Sequence, residues 1–86
     1  MHFQFYGMVQ GVGFRYRAEK SASLCGVTGW IRNNSDGSVE MEAQGQKESI
    51  EKMVDLIQKG NYIRIDDIRK RVIPLKDNEY YFNVIE

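Results

Sequence analysis

The sequence predicts an α+β domain in which two helices cover one face of a four-stranded antiparallel sheet. Apolar and polar residues alternate near both ends of the chain, as they do in half-buried strands. Two internal segments repeat apolar residues at steps of three and four, the spacing of one face of a helix. With turn formers between them, the segments give the order β-α-β-β-α-β. This order predicts a ferredoxin-like sandwich, as a single domain over residues 1–86.

The first predicted strand and helix occupy the N-terminal quarter of the chain. In HFQFYGM, residues 2–8, phenylalanines alternate with polar residues, which indicates a strand. From Phe14 to about Leu24, small and apolar residues recur at helical spacing. Gly26 follows this segment and is typical of the residue just beyond a helix C-terminus. We therefore expect a strand, a short loop and a helix, in that order.

A hairpin is predicted next. TGWIRN, residues 28–33, and SVEMEAQ, residues 38–44, both alternate in polarity. The intervening NSDG, residues 34–37, consists of turn-forming residues and suits a tight connection. In the third strand the apolar side chains should face the core and the two glutamates should face outward.

The second half of the chain repeats the strand and helix pattern. QKESIEKMVDLIQKG, residues 46–60, carries one apolar stripe and should form an amphipathic helix that ends at Gly60. A fourth strand is expected within residues 62–73, and a last one in YYFNVI, residues 80–85. Because both helices should cover the same face of the sheet, the other face should be partly exposed to solvent. That open face should carry Gln4, Tyr6, Trp30, Glu40, Glu42 and Tyr81.

The amino-acid composition argues against several classes of function. Twelve basic and twelve acidic residues give zero net charge, so no bulk attraction to nucleic acid or to an anionic membrane is expected. Cys25 is the single cysteine, which excludes an internal disulfide and a cysteine-based metal site. The chain lacks the apolar run of about 20 residues that a membrane span needs. It also lacks a signal peptide, so we expect a cytoplasmic protein.

Three polar side chains are expected to be ordinary surface residues. His2 lies at the start of the first strand and should be exposed. Arg17 lies about 200° around the helix from Arg15, and Arg32 alternates away from Asn33 on its strand. We interpret both arginines as solvated.

The segment VQGVGFR, residues 9–15, has the composition of an anion-binding loop. It connects the first strand to the first helix, where the first backbone N–H groups have no partner within the helix. Gly11 and Gly13 allow the loop to curl, so that successive N–H groups converge on an anion. Arg15 adds a guanidinium that matches a phosphate bidentately. From these residues alone, a tight turn beside a surface arginine is an equally good interpretation.

Asn33 ends the second predicted strand and could come near that loop. Its amide can accept a hydrogen bond from water and donate one to an oxygen at the same time. The simpler interpretation is that Asn33 belongs to the turn that follows it. Together, GMVQGVGFR at 7–15, GWIRN at 29–33, DGSVEMEAQG at 36–45 and the closing YFNVI resemble the acylphosphatase family over nearly the whole chain.

The resemblance implies a function and a site. It implies hydrolysis of the carboxyl–phosphate bond of acyl phosphates, with Arg15 and Asn33 as catalytic residues. Arg15 would bind the phosphate and Asn33 would hold the attacking water. The phosphate-binding loop would comprise Gln10, Gly11, Val12, Gly13, Phe14 and Arg15. No metal or other cofactor is implied, and the ligands would be a small acyl phosphate and inorganic phosphate. We expect no nucleic acid or membrane among the partners, and we expect the chain to be a monomer.

Two other classes of protein share features with this sequence. RNA-recognition domains share the element order, but they need aromatic side chains on the third strand, and SVEMEAQ has none. A non-catalytic anion sensor would use the same loop, and the sequence leaves it open. One departure from the family is the stretch Gly60-Asn61-Tyr62-Ile63-Arg64, which lacks the proline common after the second helix.

Overall fold

The described residues contain both predicted helices and the five predicted strands, including the last one expected within residues 80–85, so the element order is β-α-β-β-α-β-β and not β-α-β-β-α-β. The computed structural model describes residues 1–77 and 79–85. In chain order the elements are β1 His2–Met8, α1 Phe14–Cys25, β2 Thr28–Asn33, β3 Val39–Gln44, α2 Lys47–Gln58, β4 Arg64–Arg71 and β5 Phe82–Ile85. Neither of the two helices in this described part is long and apolar enough to cross a membrane.

Within residues 1–77 and 79–85, the sheet has five strands in the order β4-β1-β3-β2-β5. The first four are antiparallel, as expected, but β5 pairs in parallel with β2, with Gly29 opposite Phe82. The prediction of a four-stranded antiparallel sheet is therefore wrong, although the α+β class is confirmed. Strand β5 covers the edge of β2, which would otherwise expose unpaired backbone groups.

The core lies between the two helices and one face of the sheet. Phe5 of β1 and Phe14 of α1 are both buried, with ring centroids 5.0 Å apart. These contacts fix α1 over the sheet immediately after the β1–α1 loop. The other fully buried side chains include Ala18, Ala22, Ile31, Val39, Met41, Met53 and Ile57.

The opposite face of the sheet is polar and half-buried. Gln4, Tyr6, Trp30, Glu40 and Glu42 alternate there with the buried residues of their strands, as predicted. Tyr81 precedes β5 and is exposed.

Two of the three expected surface residues are not freely solvated. Nε2 of His2 lies 2.7 Å from Oε2 of Glu40, and only 12% of the His2 side chain is exposed. Arg17 is half-buried, and its Nε donates to the Leu56 carbonyl at 2.6 Å. Both expectations are therefore wrong, because partners distant in sequence reach these side chains. Arg32 is exposed and pairs with Glu40 at 2.9 Å.

The helix ends show how local sequence sets the connections. Gly26 follows α1 in the left-handed conformation, with φ 69°, as the sequence predicts. The second helix ends at Gln58, earlier than the predicted Gly60. The next residues form a turn in which Ile63 N donates to Gly60 O at 3.3 Å. A backbone hydrogen bond thus closes the connection that lacks the proline.

Candidate active site

The β1–α1 loop adopts a curled backbone at its two glycines. Gly11 has φ 72° and Gly13 has φ 79°, values that side chains other than glycine rarely adopt. A Cβ atom at either position would meet nothing within 4 Å. The glycines are therefore needed for the backbone conformation and not to avoid a neighbour. Closely spaced left-handed residues of this kind form concave nests of N–H groups that bind anions.

The start of α1 is left without a side-chain cap. Gly13 is its N-cap residue, no side chain hydrogen-bonds there, and the first turn contains no acidic residue. The first N–H groups of a helix have no partner within the helix, and the helix dipole leaves about half a positive charge at this end. An anion placed at this helix end would satisfy both the N–H groups and the charge.

Two loop side chains anchor the loop in the core. Phe14 is 2% exposed and packs on Phe5, while Val12 is half-buried against the core. These two side chains point into the protein interior, so Val12 and Phe14 can offer a ligand only their backbone N–H groups. Packing of both residues restrains the loop.

Arg15 lies in the first turn of α1 and is half-buried. Within residues 1–77 and 79–85, no side chain or backbone oxygen pairs with its guanidinium. Arg17 differs, because its guanidinium is bound to Leu56. Of the two arginines in this turn, Arg15 is thus the one whose donors are available to a ligand.

Asn33 is the last residue of β2 and is half-buried. Its Oδ1 atom is buried and has no hydrogen-bond partner among the described residues. A buried polar atom without a partner costs about 1–3 kcal/mol, so such atoms usually bind a ligand or water. Asn33 can therefore accept a hydrogen bond from a small molecule or a water.

Gln10 joins the loop to the hairpin that follows Asn33. Its Nε2 donates to the Asn34 carbonyl at 2.7 Å and to the Ser38 carbonyl at 2.9 Å. Gln10 belongs to the predicted phosphate-binding loop, but its side-chain amide is bound to the hairpin. The contact joins the loop to the segment directly after β2.

The hairpin contains a hydrogen-bond network that was not predicted from the sequence. Asp36 Oδ1 accepts bonds from Ser38 N at 2.9 Å and Ser38 Oγ at 2.6 Å. Asn34 Nδ2 donates to Ser38 Oγ at 3.1 Å. The bonds from Ser38 lower the pKa of Asp36. In the sequence these residues indicated only a turn, and an Asp two residues before a Ser was the available signal.

No three His, Cys, Asp or Glu side chains in the described ranges are arranged to hold a metal ion. The lone Cys25 is the last residue of α1, half-buried and not in a disulfide. It therefore lies at the opposite end of α1 from the β1–α1 loop.

Comparison with known proteins identifies the family. The family model described as Acylphosphatase matches residues 1–84. The chain is 41% identical over 80 residues to a protein named Acylphosphatase from Clostridium acetobutylicum, which covers 92% of this chain and 88% of the relative. It resembles the crystal structure of acylphosphatase from Bacillus subtilis with a TM-score of 0.84 and 28% identity, over 99% of this chain and 96% of that one. It also resembles the crystal structure of T. kodakarensis HypF, with a TM-score of 0.84 and 30% identity, over 99% of this chain but 11% of HypF. This chain therefore belongs to the acylphosphatase family of hydrolases.

Proposed function

We propose that this protein hydrolyses the carboxyl–phosphate bond of acyl phosphates to a carboxylate and inorganic phosphate. One observation carries the proposal. The start of α1 has no side-chain cap, follows a left-handed glycine loop and carries Arg15, whose guanidinium has no partner among the described residues. This combination suits a phosphoryl group, which carries negative charge and several acceptor oxygens.

The loop would hold the phosphoryl group through the backbone N–H groups of residues 10–15. Arg15 would add two parallel hydrogen bonds from its guanidinium. Negative charge is spread over the phosphoryl oxygens during transfer, and preformed donors stabilise it without reorganising. The loop and Arg15 would thus supply both binding and charge stabilisation.

Asn33 would position the water that attacks phosphorus. Its unpaired Oδ1 accepts one hydrogen of that water, which leaves an oxygen lone pair directed at the phosphorus. The new bond forms between the water oxygen and phosphorus as the bond from phosphorus to the carboxyl oxygen breaks. The electron pair leaves with the carboxylate, and the water proton goes to a phosphoryl oxygen.

This chemistry needs no protein group to protonate the leaving group. The conjugate acid of a carboxylate has a pKa of about 4, so the carboxylate is a stable product at neutral pH. A site made only of oriented donors and one amide is therefore sufficient for an acyl phosphate.

The proposal is tested by hydrolysis of benzoyl phosphate in the presence of a chelator. Arg15→Ala and Asn33→Ala should each reduce turnover by roughly 100- to 1,000-fold, as the loss of one oriented donor does in other sites. Arg15→Ala should also weaken binding of inorganic phosphate, whereas Asn33→Ala should leave phosphate bound.

Two exposed residues provide matched controls. Arg71→Ala and Asn61→Ala remove the same chemical groups from β4 and from the turn after α2, and both should retain wild-type turnover. Turnover at the wild-type rate in purified Arg15→Ala or Asn33→Ala would refute the assigned roles. A wild type that binds phosphate without hydrolysis would instead be an anion sensor.

We also propose a small-molecule partner and a monomeric, cytoplasmic protein, with residues 1–86 as one domain. Inorganic phosphate would act as product and inhibitor. Zero net charge supports the absence of nucleic acid and anionic membranes among the partners. Light scattering should give the mass of one chain, and the mass of two would contradict the monomer.

A further inference from the structure

The two hydrogen bonds of Gln10 are additional to those that close the hairpin. The Asn34 carbonyl already accepts from Gly37 N at 3.2 Å, and the Ser38 carbonyl already accepts from Asn34 N at 2.9 Å. Without Gln10, each carbonyl would still have a backbone partner. The hairpin therefore does not need Gln10 in order to form.

What Gln10 adds is a connection between two elements. It lies next to Gly11 in the loop, and Asn34, one of its two acceptors, is next to Asn33. A single side-chain amide thus joins the phosphate-binding loop to the strand end that carries the water-positioning residue. The amide nitrogen Nε2 lies 2.7 Å from the Asn34 carbonyl oxygen and 2.9 Å from the Ser38 carbonyl oxygen. These two hydrogen bonds fix the position of the amide on the hairpin.

We propose that Gln10 is a positioning residue that fixes Asn33 relative to the bound phosphoryl group. This inference rests on the proposed function and assigns the Gln10 side chain a role other than phosphate binding. An in-line attack depends on alignment of water and phosphorus, and an error of about 1 Å can reduce a rate 100-fold. The loop N–H groups and Arg15 bind phosphate without help from the Gln10 side chain.

Gln10→Met tests this role, because methionine keeps the length of the side chain and removes both donated bonds. The kcat for benzoyl phosphate should fall by at least about tenfold, with little change in the Kd of inorganic phosphate. The loss should be absent in an Asn33→Ala background, because Gln10 acts through Asn33.

Gln44→Met is the matched control. Gln44 also makes two hydrogen bonds to backbone, donating to Lys76 O at 2.9 Å and accepting from Lys76 N at 2.7 Å. It lies at the other end of β3, so its loss should leave kcat unchanged. Circular dichroism establishes that both variants are folded.

The outcomes separate this inference from the proposed function. An inactive wild type would overturn both. An active wild type with equal kcat in Gln10→Met and Gln44→Met would overturn the positioning role alone. So would a Gln10→Met variant whose Kd for phosphate rises in step with its loss of kcat, since that result would place the side chain in phosphate binding. Equal fold-losses from Gln10→Met in the wild type and in Asn33→Ala would also overturn it.

Discussion

At the residue scale, the loop depends on backbone conformation more than on side-chain chemistry. Gly13 serves as the N-cap of α1, where serine, threonine or aspartate are usually preferred. A capping side chain would occupy the N–H groups that an anion needs. Glycine leaves those groups free and adopts φ 79° without strain.

Gly13→Ala and Gly26→Ala should have equal effects on stability but different effects on binding. Both positions have positive φ and open space for a Cβ, so each substitution should cost about 1–2 kcal/mol of unfolding free energy. In Gly13→Ala the empty loop can relax, and phosphate must restore its strained form, which weakens binding by up to about tenfold. Titration with phosphate checks this, and weaker binding in Gly26→Ala, at the far end of α1, would contradict it.

At the element scale, Arg17 connects the two helices. Its Nε donates to the Leu56 carbonyl in the last turn of α2, which also accepts a bond from Lys59 N at 3.3 Å, and positive charge is favourable at this end of a helix. A Cβ on Gly60 would lie 3.0 Å from Cδ of Arg17, so the arginine stem passes directly over this glycine. The charge and the stem both hold α1 against the end of α2.

Arg17→Ala should lower the free energy of unfolding by about 1–3 kcal/mol, the usual cost of losing a hydrogen bond from a charged group. Arg17→Met should lose less, because it keeps the packing of the stem on Gly60. Arg32→Ala removes an arginine whose side chain is 49% exposed and should cost at most about 1 kcal/mol. Urea denaturation measures the free energy of unfolding of the three variants. Equal losses of stability for Arg17→Ala and Arg32→Ala would contradict the proposal that Arg17 holds the two helices together.

At the scale of the whole molecule, carboxylates on the open sheet face couple stability to pH. The hydrogen bond to His2 is the main cause that lowers the pKa of Glu40, and Arg32 adds to it against the effect of burial. Burial acts to raise the pKa of Glu42, but Lys76, whose Nζ lies 2.9 Å from Oε1, outweighs it and the pKa is lowered. These pairs connect β1, β2, β3 and the segment before β5.

Carboxylates with lowered pKa values stabilise the folded state only while they are ionised. Their contribution is fully present above the unfolded pKa of about 4.5 for glutamate, and is lost as the pH falls through the lower folded value. Glu40→Gln should therefore show a shallower loss of stability between about pH 5 and pH 2 than the wild type. Glu51→Gln, on the exposed side of α2, should follow the wild type. Denaturation midpoints measured across this pH range test the prediction. Parallel curves for Glu40→Gln and the wild type would show that Glu40 does not contribute to the pH dependence of stability.

The succession of strands and helices, most of their boundaries and the place of the β1–α1 loop could be predicted from the amino-acid sequence. Alternation and helical spacing report which face of each segment is apolar, and glycines report where the backbone must curl. The assignment of Arg15 and Asn33 came from a family resemblance. The family is confirmed, and the two roles stay predictions for the variants to test.

The contacts between groups distant in the sequence became evident from the fold. It placed β5 beside β2, His2 on Glu40, Arg17 on Leu56 and Gln10 on the hairpin. Alternating polarity predicts that a segment is a strand, but it does not predict which strand pairs with it. The sequence likewise does not show which group a polar side chain will hydrogen-bond. These pairings depend on how the helices and strands pack in space, so they could be seen only after the chain was folded.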